Sequence, residues 1–155
     1  MHLRLIAVGT RMPAWVSAGY EDYTRRLPRE LKLELIEIPL AARGNNADIS
    51  RLKTTEGERI LKVVGDARLI ALDEAGKMLS TLQWAESLTI WMRDGRGVAL
   101  AVGGPEGHAD AVLERAEARW SLSKLTLPHA LVRVVVAEQV YRAWTVTTNH
   151  PYHRA

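Results

Sequence analysis

Short apolar runs alternate with amphipathic stretches along the whole chain of 155 residues. Two of the runs, ARLIALD (67–73) and GVALAVG (97–103), are almost entirely apolar, which is typical of strands buried on both faces of a sheet. An amphipathic stretch with helical periodicity follows each run, and parallel strands need a crossover of this kind. The order of the elements therefore predicts an α/β fold with a mostly parallel sheet and helices on both faces.

The predicted elements alternate between strand and helix. Strands are predicted at 2–9, 31–38, 67–73 and 97–103, with a last strand or extended loop at 120–127. Helices are predicted at 13–27, 49–64, 80–93, 109–118 and 128–145, and Ser80 with Gln83 forms a capping box. The segments 40–48 and 74–78 are interpreted as a polar loop and a turn. Because no linker, repeat or low-complexity tract interrupts this pattern, we expect a single domain.

Composition excludes several classes of protein. Hydrophobic residues make up 47% of the chain and charged residues 25%, which is typical of a folded domain. There is no cysteine, so a disulfide framework, a thiolate zinc site and a cysteine nucleophile are all excluded. Charged side chains interrupt the longest apolar stretch, 125–146, and the N-terminus lacks the pattern of a secretory leader. We therefore expect a cytoplasmic protein without a membrane span.

The most unusual residues follow the predicted strands, where ligands bind in sheets of this kind. Three loops qualify: those after Leu72 and after Val102, and the segment 121–129. In VGGPEGH (102–108) the glycines permit close approach of the backbone to a ligand, or simply a tight turn. The spacing matches neither the dinucleotide fingerprint nor a P-loop.

The segment WSLSKLTLPHALVR (120–133) combines hydroxyl groups with a series of leucines. This mixture suits an apolar pocket for an adenosine, and it equally suits an edge strand with alternating polar residues. His150 and His153 have no nearby acidic residue to complete a metal site. Asp73 and Glu74 are adjacent, so on a strand they would point to opposite faces. We therefore expect no bound metal, and neither a hydrolase nor a metalloenzyme.

Seven motifs together resemble one family over the range 3–153: AVGT, ELIEIP, GNNADI, LDEAGK, VGGPEG, SLSKLTLPHALVRVVVAEQVYRAW and TTNHPYH. They are similar to the RlmH (YbeA-type) family of SPOUT methyltransferases. The resemblance implies S-adenosylmethionine-dependent methylation of ring nitrogen N(3) of pseudouridine 1915 in 23S rRNA on the assembled ribosome. It also implies a homodimer and a single-domain SPOUT fold with a C-terminal trefoil knot.

The resemblance also implies which residues form the site. The predicted cofactor-binding residues are Leu72, Gly103, Gly104, Leu122, Ser123, Lys124, Leu125, Thr126 and Leu127. Lys124 stands where the family carries a small residue. Methylation at N(3) requires the imide proton to leave, so a neutral base or an oxyanion partner is useful. His129, Tyr152 and His153 are the candidates for the base or for orienting groups, and Arg142 and Arg154 for phosphate or oxyanion contacts.

The predicted helix 128–145 is apolar on too many sides for a solvated helix, so we expect it at the dimer interface. The tail TTNHPYHRA (147–155) follows it directly. We expect Asn149 and Pro151 to fix the path of the tail and to hold it beside the cofactor loops. The site would then be a composite of two subunits.

Two other functions are compatible with the residues. A different nucleotide-binding α/β protein would use GGPEG as a phosphate loop. A non-catalytic RNA- or ribosome-binding factor would exploit the excess of 16 Arg over 5 Lys, although a GC-rich coding bias explains that excess equally well.

Overall fold

The computed structural model describes residues 1–44 and 48–154. The strands are β1 His2–Val8, β2 Lys32–Ile38, β3 Arg68–Met78, β4 Val98–Val102 and β5 Ala118–Ser121. The helices are α1 Ala14–Thr24, α2 Ile49–Val64, α3 Thr81–Asp94, α4 Asp110–Arg115 and α5 His129–Thr147, and a 3₁₀ turn covers Pro151–Arg154. Part of the predicted loop 40–48, together with part of the GNNADI motif, lies outside the described residues (45–47), as does Ala155.

The five strands form one sheet in the order β2-β1-β4-β3-β5, and every pairing among the described strands is parallel. This arrangement confirms the predicted α/β fold. The register pairs Ala7 of β1 with Val102 of β4, and Leu72 of β3 with the same residue. The loops that follow β1, β3 and β4 therefore emerge side by side at the C-terminal edge of the sheet.

Helices cover both faces of the sheet. On one face α1, α3 and α5 bury a core that includes Trp84, Trp91 and Trp120, and the rings of Trp91 and Trp120 stack with centroids 5.5 Å apart. On the other face α2 and α4 pack through Ile60 and Val112. Each crossover carries the chain to a helix on one of these faces, so helices cover the apolar core on both faces of the sheet in the described part of the chain.

Local sequence signals account for several helix ends. The Ser80–Gln83 capping box forms at the start of α3, as predicted. The Asp48 carboxylate caps α2 by accepting hydrogen bonds from the amides of Ser50 and Arg51. Gly65 ends α2 with a positive φ of 58°, a conformation that favours glycine. The predicted helix 109–118 is shorter in the structure, since α4 ends at Arg115.

The prediction of a turn at 74–78 is wrong, because β3 continues to Met78. The strand contains an irregular segment, so that Leu72 and Lys77 both pair with Trp120 of β5. Gly76 lies so close to β5 that a Cβ atom on it would be 2.6 Å from the carbonyl carbon of Arg119. The glycine therefore permits close contact between strands, a role it can have in a strand as well as in a turn.

The last strand, β5, covers Ala118–Ser121, so the segment predicted as a strand or extended loop at 120–127 is strand at its first two residues and loop from 122 onward. Beyond Ser121 local hydrogen bonds replace strand pairing: its hydroxyl donates to the Ser123 carbonyl, and the Ser123 hydroxyl accepts from the Leu125 amide. The trefoil knot stays a prediction, since strand order and register do not define the threading of the chain. Among the helices that the structure describes, none has the length and apolar character needed to cross a membrane.

Candidate functional site

A cavity of about 510 Å³ opens at the C-terminal edge of the sheet, beside the ends of β4 and β5 and the irregular part of β3. The three loops singled out from the sequence form its walls. It is lined by eight of the nine predicted cofactor-binding residues: Leu72, Gly103, Gly104, Leu122, Ser123, Leu125, Thr126 and Leu127. The ninth, Lys124, is exposed and does not line the cavity. A volume of this size is typical of sites for small molecules and cofactors.

The glycine loop (103–107) forms one wall by folding back on itself. The Gly107 amide donates to the Gly104 carbonyl at 3.0 Å, and Gly107 has a φ of 82°. A Cβ atom on Gly103 would lie 2.9 Å from the carbonyl carbon of Gly107 and 3.1 Å from the amide nitrogen of His108. The absence of a side chain at Gly103 therefore permits this turn and leaves main-chain atoms at the cavity wall.

His108 also lines the cavity, although it was not among the predicted site residues. Its Nε2 lies 3.1 Å from the carbonyl oxygens of both Leu72 and Ala101, so Nε2 carries the proton and donates to both. Burial lowers the pKa of His108 despite these hydrogen bonds. The neutral ring thus joins the ends of β3 and β4. Little in the sequence indicates this contact, because Leu72 lies 36 residues away.

His129, the first residue of α5, lines the cavity and donates from Nε2 to the Gly103 carbonyl. Burial lowers the pKa of His129, and the nearby Arg133 charge acts in the same direction, against the hydrogen bond to Gly103. The ring is therefore neutral at physiological pH, and its Nδ1 lone pair is the one left to accept a proton.

One turn later, Arg133 fixes the start of α5 against the sheet. Its side chain is 1% exposed. It donates to the Gly9 carbonyl at 2.7 Å and to the Glu37 carboxylate at 2.6 Å. These bonds join α5 to the ends of β1 and β2, so the position of His129 is held by the hydrogen bonds of a buried arginine as well as by packing.

The charged side chains that line the cavity are acidic: Asp73, Glu74 and Glu106. No lysine or arginine is among the lining residues in the part of the chain that the structure describes. Asp73 and Glu74 both line the cavity, at the irregular part of β3. No group of three or more histidine or acidic side chains is arranged to hold a metal within residues 1–44 and 48–154.

The other predicted site residues gather at the opposite end of α5. Tyr152 packs edge-on against Tyr141 with ring centroids 4.7 Å apart, and the Arg142 guanidinium lies 4.9 Å from the centre of the Tyr152 ring. Asn149 has a φ of 56° and turns the tail back, while its side chain accepts a hydrogen bond from Arg154 at 3.2 Å. His153 is half-buried beside them.

The length of α5 separates these residues from the cavity. A helix of 19 residues spans roughly 28 Å. His129 is at its start, and the tail follows its last residue. The expectation that the tail lies beside the cofactor loops is therefore wrong within one chain. The sequence shows that the tail follows this helix directly, but it does not show which end of the helix lies at the cavity.

The outward side of α5 carries a stripe of half-buried residues at helical spacing: Leu131, Val135, Glu138, Arg142 and Val146. Glu138 and Arg142 form an ion pair at 2.6 Å within it. The neighbouring helices α1 and α3 pack on either side of α5. The rest of the stripe is apolar and half-buried, so part of its surface stays exposed within the described residues.

Comparisons with known proteins agree on one fold. A family model described as a predicted SPOUT methyltransferase matches residues 1–153. A tRNA (m1G37) methyltransferase from Aquifex aeolicus shares 15% identity with a TM-score of 0.55, covering 92% of this chain and 70% of its own. A methylase family protein from Neisseria gonorrhoeae shares 13% identity with a TM-score of 0.56, covering 90% and 81%. Another, from Haemophilus influenzae Rd KW20, shares 11% with a TM-score of 0.59, covering 97% and 67%. At these identities the solved structures show a shared fold.

Proposed function

Because the chain belongs to the SPOUT methyltransferase family, we propose that it methylates N(3) of pseudouridine 1915 in 23S rRNA on the assembled ribosome, with S-adenosylmethionine as methyl donor. The observation that carries the proposal is the cavity at the C-terminal edge of the sheet, lined by eight of the nine residues predicted to bind the cofactor. The choice of substrate rests on the resemblance of the sequence motifs to the RlmH branch.

The residues present fit the cofactor. The volume of about 510 Å³ suits a nucleoside-sized ligand, and the turn at Gly103 leaves main-chain atoms at the wall instead of a side chain. Leu72, Gly103 and the segment 122–127 would hold it. Bound S-adenosylmethionine would supply a methyl group activated by the sulfonium charge, so that positioning provides much of the rate.

His129 is the candidate for handling the proton that leaves N(3). It is neutral, and its Nε2–H is already committed to the Gly103 carbonyl. The free lone pair on Nδ1 could therefore accept a proton or orient the uracil ring. Asp73, Glu74 and Glu106 would repel the phosphates of RNA, so the cations that bind the substrate must come from outside this lining.

A homodimer would supply those cations. In a two-fold dimer packed through the outward stripe of α5, the two α5 helices would run antiparallel if the axis crosses them near their middle. Each tail would then lie near the cavity of the partner. Arg142, Tyr152, His153 and Arg154 would join the acidic cavity across the interface. This arrangement reconciles the predicted roles of the tail with its distance from His129 in one chain.

The test offers purified protein and radiolabelled S-adenosylmethionine to free 23S rRNA, to separate subunits and to whole ribosomes that lack the modification. We expect label on whole ribosomes, mapped to N(3) of the one pseudouridine. A Gly103→Val variant, which fills the turn of the glycine loop, provides the inactive control. If no substrate gains label, the proposal is wrong. RNA binding without cofactor binding would indicate a binding factor, and displacement of S-adenosylmethionine by ATP or NAD would indicate another nucleotide-binding protein.

A further inference from the structure

A buried carboxylate lies behind the glycine loop, although it does not line the cavity. Glu56 is on α2, and its side chain is 3% exposed. Burial of a carboxylate is unfavourable unless the charge is paired and its oxygens accept hydrogen bonds. Glu56 therefore needs a cation and hydrogen-bond donors close to its carboxylate.

One carboxylate oxygen joins α2 to the segment that follows β2. The Glu56 Oε2 accepts a hydrogen bond from the Ala41 amide at 3.0 Å and another from the Arg43 guanidinium at 3.2 Å. The same guanidinium lies 3.8 Å from the carboxylate of Glu106, which is part of the glycine loop. Arg43 thus bridges the buried acid and the cavity wall.

The other oxygen faces the glycine loop itself. A Cβ atom on Gly104 would lie 2.6 Å from the Glu56 Oε1. Within the described residues this buried oxygen has no hydrogen-bond partner. A side chain at position 104 would displace the carboxylate, which packs against the loop from the α2 face of the sheet. From the α5 face, His129 holds the neighbouring Gly103 carbonyl.

We propose that Glu56 is a positioning residue for the methyl-transfer site, holding Gly104 from one face of the sheet while His129 holds Gly103 from the other. The inference rests on the proposed function, which makes this loop the wall of the cofactor site. A loop that presents main-chain atoms to a cofactor has to be fixed by contacts behind it, because it has no side chains of its own to lock it.

Glu56 also affects the charge state of His129. Its negative charge favours the imidazolium form and so raises the pKa of His129, while burial and Arg133 lower it. His108 is the other titratable group that faces this ring, and it is held neutral by burial. Removal of the Glu56 charge should therefore lower the pKa of His129 further, an effect that loss of packing alone would not produce.

The test compares Glu56→Gln with Glu58→Gln, which removes the same charge from an exposed position on the same helix. We expect Glu56→Gln to weaken binding of S-adenosylmethionine by about tenfold, measured by calorimetry, because a charged hydrogen-bonded support is lost. In the protein without cofactor, NMR titration of the His129 ring should give a lower pKa than in wild type. Glu58→Gln should change neither quantity.

Equal behaviour of the two variants in both measurements would overturn the inference. If Glu56→Gln does not fold, Arg43→Ala removes the bridge from a partly exposed position. It should also weaken binding of S-adenosylmethionine, but it should not lower the pKa of His129, because the Glu56 charge remains. Both measurements are made without RNA, so they are independent of the substrate assignment. A wild-type protein that fails to methylate ribosomes would count against the proposed function, whereas an unchanged His129 titration would count against the role of Glu56.

Discussion

Gly76 and Gly97 occupy two strand-end positions with different surroundings. At Gly76 a Cβ atom would meet three main-chain atoms of β5 at 2.6–2.7 Å, whereas at Gly97 its nearest neighbour would be the Ala67 side chain at 3.7 Å. We expect Gly76→Ala to lower the free energy of unfolding by about 1–3 kcal/mol, because the two strands must move apart. Urea denaturation measures the change.

Gly97→Ala is the matched control, since the new methyl group would make an ordinary contact there. We expect its stability to equal that of the wild type within about 0.5 kcal/mol. Equal stability of the two variants would contradict the close approach of β3 and β5.

His108 makes stability depend on pH in a defined direction. Burial lowers its folded pKa below the ordinary value of 6.5, so the unfolded chain binds the proton more tightly. The stabilisation is present above about pH 6.5 and is lost as the pH falls toward the folded pKa. We expect a lower free energy of unfolding at pH 5.5 than at pH 7.5, with His129 acting in the same direction.

The variant His108→Gln keeps a donor for the two carbonyl groups and removes the titration. Its free energy of unfolding should depend less on pH than that of the wild type, as followed by urea denaturation at both pH values. An unchanged dependence would show that His108 does not carry the effect.

The cavity-lining residues that could be predicted from the sequence are those whose role depends on the main chain. The glycine loop and the segment 122–127 stand out by composition and by their place after strands, and all of their residues except Lys124 line the cavity. His108 and Glu56 were not predicted, because their partners are distant in the sequence and their roles depend on burial. A single histidine or glutamate in a sequence carries no sign of either.

The bounds of most helices and strands could be predicted from the hydrophobic periodicity, from the glycines and prolines that mark their ends, and from the capping box at Ser80. The errors lie where tertiary contact overrides local preference. Segment 74–78 has the composition of a turn, yet pairing with β5 keeps it in the strand. Segment 122–127 has a leucine pattern that suits a strand, yet local hydrogen bonds of Ser123 take it out of the sheet.

The half-buried outward stripe of α5 predicts that the chain forms a dimer through this helix. Val135 lies near the middle of its half-buried outward stripe, between Leu131 and Glu138. We expect the wild type to sediment as a dimer at micromolar concentration. A Val135→Glu variant should raise the dimer dissociation constant by at least about a hundredfold, because the interface would bury an unpaired charge.

Ile49→Glu adds the same charge on the opposite face of the sheet, where the side chain is 56% exposed. This control should remain dimeric in the same sedimentation experiment. A monomeric wild type would contradict the proposed interface, and dissociation by both variants would indicate a general effect of charge.

On the scale of the whole molecule, the position of the cavity could be predicted from the sequence, but the distance between the cavity and the tail could not. That distance depends on the direction in which α5 crosses the sheet. Under the proposed dimer, a subunit that lacks residues 149–155 keeps a complete cavity, and a Gly103→Val subunit keeps a complete tail. We expect each variant alone to bind its partner but to be inactive in methyl transfer.

Mixing the two variants should restore about a quarter of the wild-type rate, since about half of the dimers would be mixed and each would hold one working site. Methyl transfer to ribosomes, measured after subunit exchange, checks this value. No recovery would indicate that each cavity works with its own tail. Activity of the truncated protein alone would show that the tail is not required.

The length of α5 has a consequence for the enzyme at low abundance. Because Tyr152 of the tail packs at Tyr141, about 18 Å along α5 from His129, a lone subunit would have both halves of a site and yet be unable to join them. Below the dissociation constant of the dimer, activity should then fall with the square of protein concentration. A cell making too little of this protein would lose the modification abruptly, and a slight rise in synthesis would restore it.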